Sequence, residues 1–148
     1  MADEARIQSY LQIRKNSGTI TLIDYRSGPT VFQATVTGTK GPVPGALTVP
    51  TTGKIVDLSE LTTPGFVFLH NLDSDTSNYV EFGIYDPQTD VFYPLGELNA
   101  GESTVFKFSR NLLEEYTGTG TGTSAATNQF MLKSFNASAV VTVEAFEK

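Results

Sequence analysis

The residues with the clearest chemical potential sit in one short turn, Asp73-Ser74-Asp75-Thr76-Ser77-Asn78, with Glu81 just beyond it. Their oxygens recur at alternate positions, and a hard cation such as Ca2+ collects about six to eight oxygen ligands. An EF-type loop starting at Asp73 wants glycine at its sixth position and a bidentate glutamate at its twelfth, and Asn78 and Ile84 stand there. The preferred reading is therefore an Asx-rich turn whose side chains bond their own backbone. His70 closes an apolar run and is the single histidine of the chain. It could serve a serine and an aspartate as a base, but no G-x-S-x-G nucleophile elbow accompanies it, so it reads as a structural histidine. Glu97, Glu102, Glu114 and Glu115 could supply the two carboxylates of a glycosidase. Acids on a short helix and in a turn are more simply read as solvated. The glycine-spaced Thr117–Thr123 lacks the Lys-Ser/Thr ending and the strand–loop–helix setting of a phosphate loop. Tyr79, Tyr85 and Tyr93 are placed to share one sheet face, where they would stack on sugar, fill a protein interface, or lie under a second sheet. No residue is assigned to catalysis, to a cofactor or to a metal, and no enzyme is expected.

The elements that must position these residues are short strands. Gly65 to Arg110 reads as four: Phe66–Leu72, Tyr79–Tyr85, Phe92–Leu98 and Thr104–Ser109. Phe66–Leu72 is apolar on both faces, as suits a central strand. In the second run Val80, Phe82 and Ile84 share one face, opposite Tyr79, Glu81 and Tyr85. Asp86-Pro87 ends it, because proline has no N–H to give a ladder. Asn99-Ala100-Gly101 turns the third strand into the fourth, and the block as a whole reads as an antiparallel meander.

Upstream, Tyr10–Arg14, Ile20–Tyr25 and Val31–Thr37 recur at the spacing of a sandwich or barrel and could form a hairpin sheet of their own. Thr39–Gly45 is a loop rich in proline and glycine, and Ala46–Val49 and Lys54–Val56 are short strands. Asp57–Leu61 reads as one helical turn capped by Asp57. Downstream, Ser109 caps a short helix over Arg110–Tyr116, and Thr117–Thr127 is a low-complexity loop. Gln129–Phe135 and Val140–Phe146 close the chain, joined by the hairpin-length Asn136-Ala137-Ser138. Antiparallel order, short links and no βαβ rhythm predict an all-β fold, a two-sheet β-sandwich of jelly-roll-like form with one or two short helical turns. Residues 1–8 are a candidate flexible arm, either a frayed end or a segment that orders on a neighbouring subunit. Residues 9–148 are expected to form one domain, a size that permits its own core.

The run N-L-D…N-Y-V-E-F-G-I-Y-D…F-Y-P-L-G-E-L…G-E, from Asn71 to Glu102, resembles one found in small structural proteins of tailed bacteriophages. There an "NLD…NYVE.G" strand pair is followed by a "F.PLGEL..GE" hairpin and a final strand. The resemblance continues through Ser109–Tyr116 to the C-terminus and reaches back to Pro44–Val49, about two thirds of the chain. It carries a strand grammar and no catalytic signature. It implies a virion building block: by preference a capsid decoration (cement) protein that stabilises the shell by protein–protein contacts, otherwise a neck or tail component. A carbohydrate-binding sandwich is the reading from another class. The partners expected are the major capsid or tail protein and further copies of the chain. The protein would be assembled in the host bacterial cytoplasm and reside in the virion, and there Asn136-Ala137-Ser138, a glycosylation acceptor by pattern, stays unmodified.

Charge and composition point the same way. The net charge of −6 argues against nucleic acid as the main partner, since phosphate binding needs a basic face. The absence of cysteine excludes disulfides and thiolate chemistry within these 148 residues. No apolar run approaches the roughly 18 residues of a membrane span, and residues 1–5 lack a signal-peptide core.

Overall fold

The computed structural model describes residues 4–9, 12–17, 20–26, 30–35, 41–61, 64–108 and 129–147. Its contacts gather into two compact units, residues 1–37 and 38–148. The division falls inside the stretch 9–148 that was expected to be one domain. The first unit holds β1 (Glu4–Ser9), β2 (Gln12–Ser17), β3 (Ile20–Arg26) and β4 (Thr30–Thr35). β2 and β3 form a hairpin, as its sequence allows, and β1 pairs antiparallel with β4 from Glu4 opposite Thr35 to Ser9 opposite Thr30. Residues Glu4–Gln8, expected in an arm, are thus part of one side of a ladder: alternation in Ala5, Ile7 and Ser9 is too short to read alone, and its partner lies three elements on.

The second unit holds β5 (Val43–Val49), β6 (Lys54–Ile55), β7 (Pro64–Asn71), β8 (Tyr79–Asp86), β9 (Val91–Asn99), β10 (Ser103–Lys107), β11 (Gln129–Ser134) and β12 (Ala139–Glu147). They form two antiparallel four-stranded sheets, in the orders β10-β7-β12-β5 and β6-β11-β8-β9. The pairings nest: β5 with β12, β6 with β11, β7 with β10, β8 with β9. A chain doubled back on itself in this way and wound into two sheets is a jelly roll, the form of β-sandwich the sequence predicts. The described residues contain no helix.

The core explains the strand assignments. Along β12, Ala139, Val141, Val143 and Ala145 are buried and alternate with Val140, Thr142 and Glu144, so one face points inward. Val67 and Leu69 of β7 join them from the same sheet. Val80, Leu98, Phe130 and Leu132 face them from the other. Phe106 and Phe108 meet Phe82 and Phe130 between the sheets, with ring centroids 5.3 to 5.6 Å apart in stacked and edge-on pairs. Such pairs add about 0.5–1.5 kcal/mol each to their burial.

Two expected connections differ. The meander over residues 66–109 is not formed: its first and last strands, β7 and β10, pair with one another in the first sheet, and β8 and β9 are a hairpin in the second. Likewise β11 and β12 are not a hairpin. Both sides of β12 are already taken by β7 and β5, so the short link 135–138 crosses between sheets. A smaller difference has a local cause. Val43–Gly45, expected in a loop, begins β5, which tolerates Pro44 because it is a sheet edge. Asp57–Leu61 does make a single turn, with Asp57 at its start: Leu61 N–H bonds Leu58 C=O at 3.0 Å and Ser59 N–H bonds the Asp57 carboxylate at 2.9 Å. The helix expected over 110–116 and the loop 117–127 lie outside the described residues.

Candidate interaction surface

The acidic turn between β7 and β8 is a chain of self-bonding side chains. The Asn71 side-chain oxygen accepts the Asp73 N–H at 3.1 Å, the Asp73 carboxylate accepts the Asp75 N–H at 3.1 Å, and the Asp75 carboxylate accepts the Ser77 N–H at 2.9 Å. One oxygen each of Asn71, Asp73 and Asp75 thus already receives an N–H from two residues on. These bonds hold the Asp73 and Asp75 carboxyls below their ordinary value of 3.8. Among the described residues no cluster of three or more His, Asp or Glu is arranged to hold a metal.

The other candidates are dispersed. Glu102 closes the β9–β10 turn, its carboxylate accepting Asn99 N–H at 2.8 Å, while Gly101 adopts the positive φ of 77° that the turn requires. Glu97 stands on β9 opposite Glu81, which has Lys133 on its other side. Glu114 and Glu115 lie outside the described residues. The three tyrosines do not share a face. Tyr79 and Tyr85 follow one side of β8, but Tyr93 pairs with Ile84 of the opposite side, because the register shifts between Phe82 and Gly83. Tyr79 stacks on Phe135 at 4.6 Å, and the Tyr85 hydroxyl donates to Asp90 at 2.7 Å.

Asn78 is the residue whose importance sequence reasoning misses. It is 1 % exposed. Its amide N–H2 donates to the Asp73 carboxylate at 2.7 Å and to Ala137 C=O at 3.0 Å. Its oxygen accepts the Ser134 hydroxyl at 3.2 Å and the Asn136 N–H at 3.0 Å. The side chain thereby ties the β7–β8 turn to the link between β11 and β12. Asn71, fully buried, does the same for the third turn at this end, donating to Leu98 C=O at 3.1 Å. The only signal for either was an asparagine flanking a strand, which an ordinary turn also supplies.

A further feature with capacity for contact is the outer face of the first sheet, set by register alone. One row across it reads Val105, Phe68, Glu144, Pro44; the next reads Ser103, His70, Thr142, Ala46. Leu72 and Val140 lie beyond them, joined by a backbone bond of 2.8 Å. His70 therefore sits between two hydroxyl residues, its ring 6.2 Å from Phe68. Lys107 lays its ammonium over Phe66 at 5.1 Å. Leu72, Val140 and Val105 are 48 %, 43 % and 41 % exposed, so this face turns apolar side chains to solvent among its polar ones, although the core is on the other side. Exposed apolar area grouped on one face marks contact surfaces. Comparisons with protein-family models, with curated proteins and with solved structures find no match to this chain.

Proposed function

We propose that this chain is a structural component of a bacteriophage particle, a decoration (cement) protein that holds the shell by protein–protein contact. One observation carries the reading: on the outer face of the first sheet Leu72, Val140 and Val105 reach solvent from strands whose inner faces are already filled. The jelly roll supports it by analogy, since viral coat domains use this winding, as lectin domains do. The resemblance of Asn71–Glu102 to phage structural proteins supports it from the residues. The carbohydrate reading loses its main argument once Tyr93 leaves the face of Tyr79 and Tyr85.

The test is incorporation. Purified chain added to shells of the parent phage is expected to bind at saturating stoichiometry and to raise their resistance to heat. The double variant Leu72→Glu, Val140→Glu, on exposed positions, is expected to keep the melting temperature and lose binding. Recovery of the chain in tails and not on shells moves it to the tail, and absence from purified particles overturns the reading.

A further inference from the structure

The four edges of the two sheets are unequal. β5 carries Pro44 and a positive-φ Gly45, β9 carries Pro94 and a register shift, and β6 is two residues long. Proline, bends and brevity are the devices that stop a sheet edge from recruiting another strand. β10 has only an exposed Lys107 at one end: Ser103–Lys107 is otherwise regular, free of proline, and in unbroken register with β7.

Among the described residues no strand pairs with its other side, and that open side can be identified from the paired one. Phe108 N–H bonds Gly65 C=O at 3.0 Å, and Asn71 N–H bonds Glu102 C=O at 2.9 Å, so the even-numbered residues 102–108 turn their backbone groups to β7. Alternation then turns the N–H and C=O of Ser103, Val105 and Lys107 away from the sheet. Their side chains are exposed, with Val105 on the outer face.

We infer that β10 pairs with β10 of a second copy, antiparallel about a two-fold axis through Val105. The strand is self-complementary in that register and no other partner is needed. Val105 meets Val105 of the second copy as a hydrogen-bonded pair, and Ser103 meets Lys107 at both ends, giving about six interchain backbone bonds. The single charge of the strand never faces its own kind, which would be destabilising directly across a ladder. On the inner side Thr104 faces Phe106, whose ring is half-buried at the edge. The two first sheets become one eight-stranded sheet. The row Val105–Phe68 continues into its copy, so the two outer faces join into one. This isologous contact satisfies the open row of donors and acceptors and leaves only the blunted β5 edges outermost.

The experiment uses the full chain. Light scattering on the eluting protein is expected to give twice the 16.0 kDa of one chain. Val105→Pro removes an N–H that β7 does not use, so it is expected to yield monomer with the melting temperature within a few degrees. Val105→Lys, which sets like charges across the axis, is expected to do the same without a backbone change. Because the chain has no cysteine, Val105→Cys carries one thiol. Paired Cβ atoms stand about 5 Å apart, so a short bismaleimide is expected to link it into a covalent dimer, and to leave Leu95→Cys on β9 unlinked. A monomer at every concentration overturns the pairing. So does a dimer that survives both substitutions at Val105, or equal linking of the two cysteine variants. Solution mass and cross-linking decide this inference and shell binding decides the particle role, so either can fail alone.

Discussion

Asn78, 1 % exposed, accepts three backbone or hydroxyl donors and gives two bonds, which makes it the most consequential polar side chain of the described residues. Asn78→Ala takes the acceptor from the Asn136 N–H and one donor from Ala137 C=O, while the Ser134 hydroxyl keeps Ala137 C=O. An unsatisfied buried donor costs about 1–3 kcal/mol, so the melting temperature is expected to fall by several degrees; a fall within one degree refutes the role. The aspartates of the exposed turns act through pH. Bonds from Asp75 and Asn78 lower the Asp73 carboxyl, those from Ser77 lower Asp75, and those from Gln88 and Thr89 lower Asp86, each from 3.8. A group whose folded pKa lies below its unfolded one contributes stability above the unfolded value and loses it as pH falls through the folded one. Melting temperature is therefore expected to be level above about pH 5 and to decline below pH 3.8. Asp73→Asn keeps an oxygen for the Asp75 N–H but cannot titrate, so it should flatten that decline. A wild-type curve flat to pH 2 would count against it.

At the scale of elements, pairing follows from what each strand has already satisfied. Period-2 alternation in Tyr79–Tyr85 and Val140–Phe146 is legible because one face of each is in the core, and these strands stand where their pattern puts them, to within a residue or two. Partners are not legible, since a ladder bond is the same whichever strand supplies it. Only a side chain specific to one corner, such as Asn78, or a steric fit, can choose. Gly83 is such a fit: a Cβ there would lie 2.1 Å from the Tyr93 carbonyl oxygen, where β9 bulges toward β8. Gly83→Ala must push the two strands apart, which costs about 1–3 kcal/mol as overpacking does. Thermal unfolding measures that cost, and a variant as stable as the parent would show the bulge can move aside. The same bulge is why Tyr93 leaves the face of Tyr85, a displacement by one residue that composition does not reveal.

For the molecule as a whole, residues 38–148 close all eight strands of the jelly roll without calling on residues 1–37. That segment is expected to fold alone, with cooperative unfolding and a far-ultraviolet spectrum dominated by strands; a fragment that stays unfolded would mean the two units depend on each other. The sandwich class and most strand positions of the second unit were decided by sequence alone, because alternation and turn residues are local and a strand with one buried face must display both. The self-bonding acidic turn was legible for the same reason: Asp73, Asp75 and Asn78 reach their partners within a few residues. Tertiary structure alone decided which strands lie side by side, which face of β7 remains open, and that β10 ends a sheet. Those outcomes depend on chain segments dozens of residues apart competing for the same hydrogen-bonding edge, and no local pattern records who wins.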